Sequence, residues 1–170
     1  MATTLSRRGF LKAGLIGAVV LAAGGGLYRM TAQTPGRFVL DDTARSILAA
    51  IIPVMLKDGI TPDPAHIGAA IIRVQDAIAG LTLQAQKEVS DLFGLLALAP
   101  TRRFLAGVPD DWPQAKQEDV AAFLQSWRVS RVALFQAAYQ GLHDLIAGPW
   151  YADESAWASI GYPGPIKELS

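Results

Sequence analysis

From residue 41 onward, apolar side chains recur at three- and four-residue steps, and polar ones fill the gaps. Ile47, Leu48, Ile51, Ile52 and Met55 form one such stripe, which predicts a helix capped by Asp41 or Asp42 and kinked or ended at Pro53. Asp63-Pro64 starts a second helix, with proline at the first helical position. Its stripe is Ile67, Ile71, Val74 and Ile78, and Gly80 stops it. Thr82 caps a third, running through Val89, Leu92, Phe93, Leu96 and Leu98 and ending before Pro100. The stretch from Pro100 to Gln117 holds three prolines and reads as a connection with one short turn around Arg102–Leu105. A long fourth helix is expected from Glu118 to Ile146. Trp127, Arg131 and Phe135 lie on its main stripe, and Val129, Val132 and Ala133 form a second apolar side. A helix apolar on two sides is usually central. No alternating run is bounded by turn signals on both sides, so no strand is expected.

The C-terminal segment breaks this pattern. Trp150, Tyr151, Trp157 and Tyr162 are half of the chain's Trp and Tyr residues, set among Gly148-Pro149 and Gly161-Tyr162-Pro163-Gly164-Pro165. Gly-Pro spacing predicts an extended backbone of low entropy, with Asp153 capping one short turn that contains Trp157. The fold expected is therefore all-α: a small irregular helical bundle with an extended aromatic and Gly-Pro C-terminal tail from residue 148 to 170.

The N-terminus is patterned as an address. Ser6-Arg7-Arg8-Gly9-Phe10-Leu11-Lys12 precedes an apolar run from Ala13 to Tyr28, rich in Ala and Gly. A charged segment followed by a short apolar one is an export signal, and the paired arginines with Phe10, Leu11 and Lys12 match the twin-arginine (Tat) type. The run is shorter than the ~20 apolar residues a spanning helix needs. Residues 1–32 are thus expected to be a signal helix, and 33–170 a single helical domain. Met30 stands where a peptidase wants a small residue, so the leader can stay attached as an inner-membrane anchor. The body is expected on the periplasmic side.

Charge changes meaning once the leader is set apart. The whole chain has 15 basic and 15 acidic side chains. Removing Arg7, Arg8, Lys12 and Arg29 leaves 11 basic against 15 acidic, a net of −4 on the body. An acidic body disfavours nucleic acid and anionic headgroups as partners. The chain has no cysteine, which excludes disulfides, thiolate zinc sites and cysteine-ligated iron–sulfur clusters.

Candidate chemistry is sparse. His66 and His143 lack metal-ligand spacing, and His143 and Asp144 are expected on different helix faces. They read as surface or capping histidines, with a bis-histidine haem site as the competing reading. No phosphate loop or nucleophile elbow is present in the sequence. Arg131 is the most informative polar residue, because arginine on an apolar stripe needs a partner. It either pairs with an internal aspartate, snorkels to the edge of the bundle, or, as an interface arginine, meets the carboxylate or aromatic face of another protein. The tail aromatics carry the same pair of readings: closure over the bundle's end, or interface anchors.

Several of these residues together resemble a known family. Phe123-Leu124-Gln125-Ser126-Trp127-Arg128-Val129-Ser130-Arg131, Tyr139, Trp150-Tyr151, Trp157 and Ile160-Gly161-Tyr162-Pro163-Gly164-Pro165 resemble the gluconate 2-dehydrogenase subunit 3 type. That family comprises small, Tat-leader-bearing subunits of periplasmic membrane-associated dehydrogenases. The resemblance covers the C-terminal third and the leader. It implies a chain with no catalytic residue, metal or cofactor of its own. The expected partners are a glucose–methanol–choline (GMC) type flavoprotein carrying FAD, a cytochrome subunit that passes electrons onward, and the Tat translocon. Trp127, Arg128, Arg131, Tyr139, Trp150, Tyr151, Trp157, Gly161, Tyr162, Pro163, Gly164 and Pro165 become candidate interface residues. The alternatives are a stand-alone periplasmic or anchored scaffold and the bis-histidine haem carrier.

Overall fold

The structure is a computed structural model that describes residues 38–157 and 161–163. The leader residues Ser6, Arg7, Arg8, Phe10, Leu11 and Lys12 lie outside the described residues, as do Gly164 and Pro165. The described residues are all-α. In chain order the helices are α1 Asp42–Leu56, α2 Pro64–Ala79, α3 Leu83–Ala97, α4 Ala99–Phe104, α5 Gln117–Arg128, α6 Ala133–Tyr151 and α7 Glu154–Trp157. Single 3₁₀ turns occupy Lys57–Gly59 and Trp112–Gln114.

Helix starts follow the expected capping chemistry. Asp41 accepts from the Ala44 N–H at 2.7 Å. Asp63 accepts from Ala65 and His66 at 2.9 and 3.0 Å, with Pro64 opening the helix. Thr82 accepts from Ala85 at 3.2 Å. Each bond satisfies a backbone donor that the first helical turn leaves without a partner.

The central helix is α1. It packs against α2, α3, α5 and α6. Ile47, Leu48, Ile51 and Ile52 are fully buried, each contributing roughly 1.5–3 kcal/mol of transfer free energy. The expectation that the fourth helix was the central one is corrected here. That helix is in fact two, α5 and α6, separated by a bend at residues 129–132. Ser130 explains the break. Its hydroxyl accepts from the Val132 N–H at 3.1 Å, giving the backbone a local partner in place of the helical ladder. Val129, Val132 and Ala133 consequently face solvent instead of forming a second buried side.

Two prolines are carried inside helices. The α1 helix continues past Pro53 because Leu56 completes the buried row with Leu48 and Ile52. The α6 helix continues past Gly148-Pro149 to Tyr151 because Trp150 completes a row with Leu142 and Ile146. The segment expected to run extended from Gly148 is therefore helical as far as Tyr151, and Glu154–Trp157 adds a further turn. Burial of the final large side chain offsets the local cost of proline in part in each case.

A second packing line closes the α3–α5 side. Trp112, Phe123, Trp127 and Phe135 meet in succession, the first two pairs edge-on and the last stacked, with centroid distances of 6.2, 4.7 and 5.1 Å. The Trp112 indole donates to the Leu96 carbonyl at 2.9 Å, satisfying a C-terminal acceptor of α3. Gln86 is buried with both ends of its amide used. It accepts from Phe38 N–H at 3.1 Å and donates to Leu81 O at 3.0 Å.

Candidate functional site

The structure sorts the described candidate interface residues into three groups. Trp127 and Trp150 are core residues, 2% and 5% exposed. Trp127 lies between Phe123 and Phe135, and its indole donates to the Leu105 carbonyl at 3.3 Å. Tyr139, Tyr151 and Trp157 are half-buried. Arg128, Arg131, Gly161, Tyr162 and Pro163 are exposed.

The C-terminal aromatics are organised by a residue that the sequence pattern did not single out, Arg73 of α2. Its guanidinium carbon sits 4.6 Å from the Trp150 ring centroid. Its Nη2 reaches Asp153 Oδ1 at 3.0 Å and Ser155 Oγ at 3.1 Å. The Trp150 indole donates to Gly59 O at 2.9 Å. Trp157 donates to the Tyr151 carbonyl at 3.0 Å and meets Tyr162 edge-on at 5.2 Å. The Tyr162 N–H then donates to Trp157 O at 2.9 Å, past Gly161 at φ +70°, a left-handed conformation that glycine adopts freely. These contacts form a latch that holds the end of α6 and the whole of α7 on α2 and the Lys57–Gly59 turn. The Asp153 carboxyl is held below its ordinary range, first by the Ser155 hydroxyl, then by the Ser155 N–H and the Arg73 charge.

Arg131 is not on a buried stripe. The spacing from Trp127 through Arg131 to Phe135 presumed one continuous helix, and the bend rotates Arg131 into solvent. The arginine that is buried is Arg102 of α4, 4% exposed, paired through Nη1 with Asp111 Oδ1. Its Nε is buried with no hydrogen-bond partner.

Around Arg131 the α5–α6 bend forms a corner of distinct character. Arg128 and Arg131 make no ion pair among the described residues. Val129, Val132 and Leu134 stand out at 63%, 51% and 70% exposed. Phe104, 81% exposed, is adjacent to Leu105, whose carbonyl receives the Trp127 indole. The corner is ordered locally: Val129 N–H donates to Gln125 O at 3.2 Å and Ser130 N–H to Trp127 O at 3.3 Å.

The histidines each have a carboxylate of their own. His66 Nδ1 lies 2.6 Å from Asp63 Oδ2, and the Asp63 carboxyl is lowered, chiefly by the His66 backbone N–H and then by its ring. His143 Nδ1 lies 3.2 Å from Asp144 Oδ1, correcting the expectation that these neighbours diverge. Among the described residues, no three His, Asp or Glu side chains gather into a group able to hold a metal ion. Nor is any described helix long and apolar enough to cross a membrane. Comparison with family models, with curated proteins and with solved structures finds no match to this chain.

Proposed function

We propose that this chain is the non-catalytic small subunit of a periplasmic, membrane-associated, FAD-dependent dehydrogenase of the GMC type. In this reading a signal helix at residues 1–32 precedes the helical body. The body binds the flavoprotein subunit in the cytoplasm after FAD has been inserted. The leader then takes the folded pair through the Tat translocon, a route for proteins already folded. The observation that carries the reading is one chain joining Ser6-Arg7-Arg8-Gly9-Phe10-Leu11-Lys12 to Trp157-x-x-Ile160-Gly161-Tyr162-Pro163-Gly164-Pro165. The first is the address such a cargo needs, and the second is the most specific part of the family resemblance. FAD and the substrate site belong to the large subunit. A cytochrome subunit is the onward electron acceptor, and an uncleaved leader anchors the assembly at the inner membrane.

The test is co-purification. The leader is disabled by Arg7→Lys/Arg8→Lys, so that the complex stays in the cytoplasm, and the tagged chain is recovered. The expected result is a flavoprotein dehydrogenase in the eluate with the visible absorbance of bound flavin. Recovery of the chain free of any flavoprotein would favour the stand-alone scaffold, and a Soret band in the purified chain would favour the haem carrier.

A further inference from the structure

We infer that α7, with its capping residue Asp153, is a releasable strap. The Arg73 guanidinium locks it to α2, and it opens while the bundle beneath, Trp150 included, stays folded. The strap is a property of the helical body and does not require the flavoprotein.

The chain changes character between Trp150 and Asp153. Trp150 is 5% exposed, and its indole donates to Gly59 O, 91 positions away. The bonds that follow are local. Asp153 N–H donates to Trp150 O, Ala156 N–H to Asp153 O, and the Trp157 indole to Tyr151 O. Burial in α7 falls on Ala156, whose side chain is a single methyl, while Glu154 and Ser155 are exposed and Trp157 is half-buried. The side chains of Asp153 and Ser155 reach the body through Arg73, at 3.0 and 3.1 Å. A helix of four residues is too short to hold itself in water, so losing the Arg73 contacts melts it.

The lock is weak by construction. The side chains of Arg73 and Asp153 are 24% and 41% exposed, and an ion pair so wetted contributes little. In the closed form Arg73 Nη1 is buried with no hydrogen-bond partner among the described residues. Leaving such a donor unmade is costly, and opening relieves the cost by admitting water. Opening does not orphan Asp153 either. The oxygen that meets Arg73, Oδ1, also accepts from the Ser155 N–H and hydroxyl, two positions along the chain. The closed form thus gains one half-exposed ion pair and the burial of a methyl. The open form gains a hydrated donor and the entropy of a freed segment. Opposing terms of similar size place α7 at the low-stability end of the molecule, where segments open on their own.

The test is native-state hydrogen exchange of the purified full chain, followed by nuclear magnetic resonance in urea below the unfolding midpoint. The four tryptophan indoles report on separate places, since Trp112 donates to Leu96 O, Trp127 to Leu105 O, Trp150 to Gly59 O and Trp157 to Tyr151 O. Release of α7 exposes little surface. The Trp157 indole and the Ala156 amide should therefore exchange at rates that urea leaves unchanged, roughly tenfold or more faster than the Trp112 and Trp150 indoles. The latter two should climb with the slope of global unfolding. Asp153→Asn keeps the capping oxygen and removes the charge, and should speed Trp157 and Ala156 roughly threefold or more. Arg73→Met should speed them about tenfold, again without urea dependence. Sodium chloride at about 1 M should act on the wild type in the same direction, because it screens the lock. Exchange of Trp157 and Ala156 along the urea slope of Trp150 would overturn the inference, since α7 would then leave only with the whole bundle. So would a urea-independent step shared by Trp150 and Trp157, which would put the end of α6 inside the mobile unit. Wild-type rates in both variants would overturn it as well, by removing Arg73 as the lock.

Discussion

The end of α6 is docked so closely on the Lys57–Gly59 turn that one methyl group should register. A Cβ placed on Gly59 would stand 2.2 Å from Tyr151 Oη and 3.1 and 3.2 Å from the ring atoms Cζ and Cε1. Ordinary carbon contacts begin near ~3.5 Å. Gly59→Ala therefore requires the Tyr151 hydroxyl to retreat by more than an ångström. Tyr151 cannot swing away freely, because its neighbour Trp150 is buried and bonded to Gly59 O at 2.9 Å. Overpacking of this kind costs about 1–3 kcal/mol. Urea unfolding of a small protein has a slope of roughly 1–3 kcal/mol per molar, so the midpoint should fall by about 1 M. Tyr151→Phe removes the worst contact and leaves only ring atoms that need to move a few tenths of an ångström. The double variant should recover at least half of the loss, while Tyr151→Phe alone should change stability by less than about 1 kcal/mol. The assay is urea denaturation of the purified full chain, followed by tryptophan fluorescence and circular dichroism. An unchanged midpoint for Gly59→Ala, or no recovery in the double variant, would refute the docking of α6 on this turn.

Three other predictions bear on stability. Arg73→Met keeps the aliphatic stem but loses the Trp150, Asp153 and Ser155 contacts, and should destabilise by about 1–2 kcal/mol in the same assay. Lys57 holds φ at +45°, where a side chain is strained. Lys57→Gly should therefore raise the melting temperature by a few degrees, corresponding to about 1 kcal/mol. Asp63 and Asp153 both have carboxyls lowered by their hydrogen bonds, so their stabilisation is complete above the unfolded-state value near ~4 and is lost as pH falls through the lower folded-state values. Urea midpoints measured from pH 6 down to pH 3 should drop less steeply for Asp153→Asn than for the wild type.

How far the sequence foretold the structure depended on whether the governing interaction was local. Asp41, Asp63-Pro64 and Thr82 announced three helix starts, because capping involves residues two or three positions apart. The buried stripes of α1 and α2 were legible for the same reason. The errors have two causes: long-range packing, and local side-chain bonds that compete with the helical pattern. Pro149 reads as a stop until Trp150 is seen bonded to Gly59, 91 positions away. The bend at Ser130 is hidden in a run whose apolar spacing suits one long helix, and it moved Arg131 from core to surface. Arg73 gave one overlooked signal, a lone cation inside the apolar run Ile71-Ile72-Arg73-Val74. The exposed corner could not be read at all, because only the bend makes Val129, Val132 and Leu134 superficial.

The escort of a flavoprotein through the Tat pathway is the central proposal for this chain. The most direct measurement is the distribution of that dehydrogenase between cytoplasm and periplasm. Cells expressing the wild-type chain are compared with cells expressing Arg7→Lys/Arg8→Lys. Flavoprotein activity is expected in the periplasmic fraction with the wild-type leader, and is expected to stay in the cytoplasm with the variant. Dehydrogenase reaching the periplasm at the wild-type level without the paired arginines would contradict it.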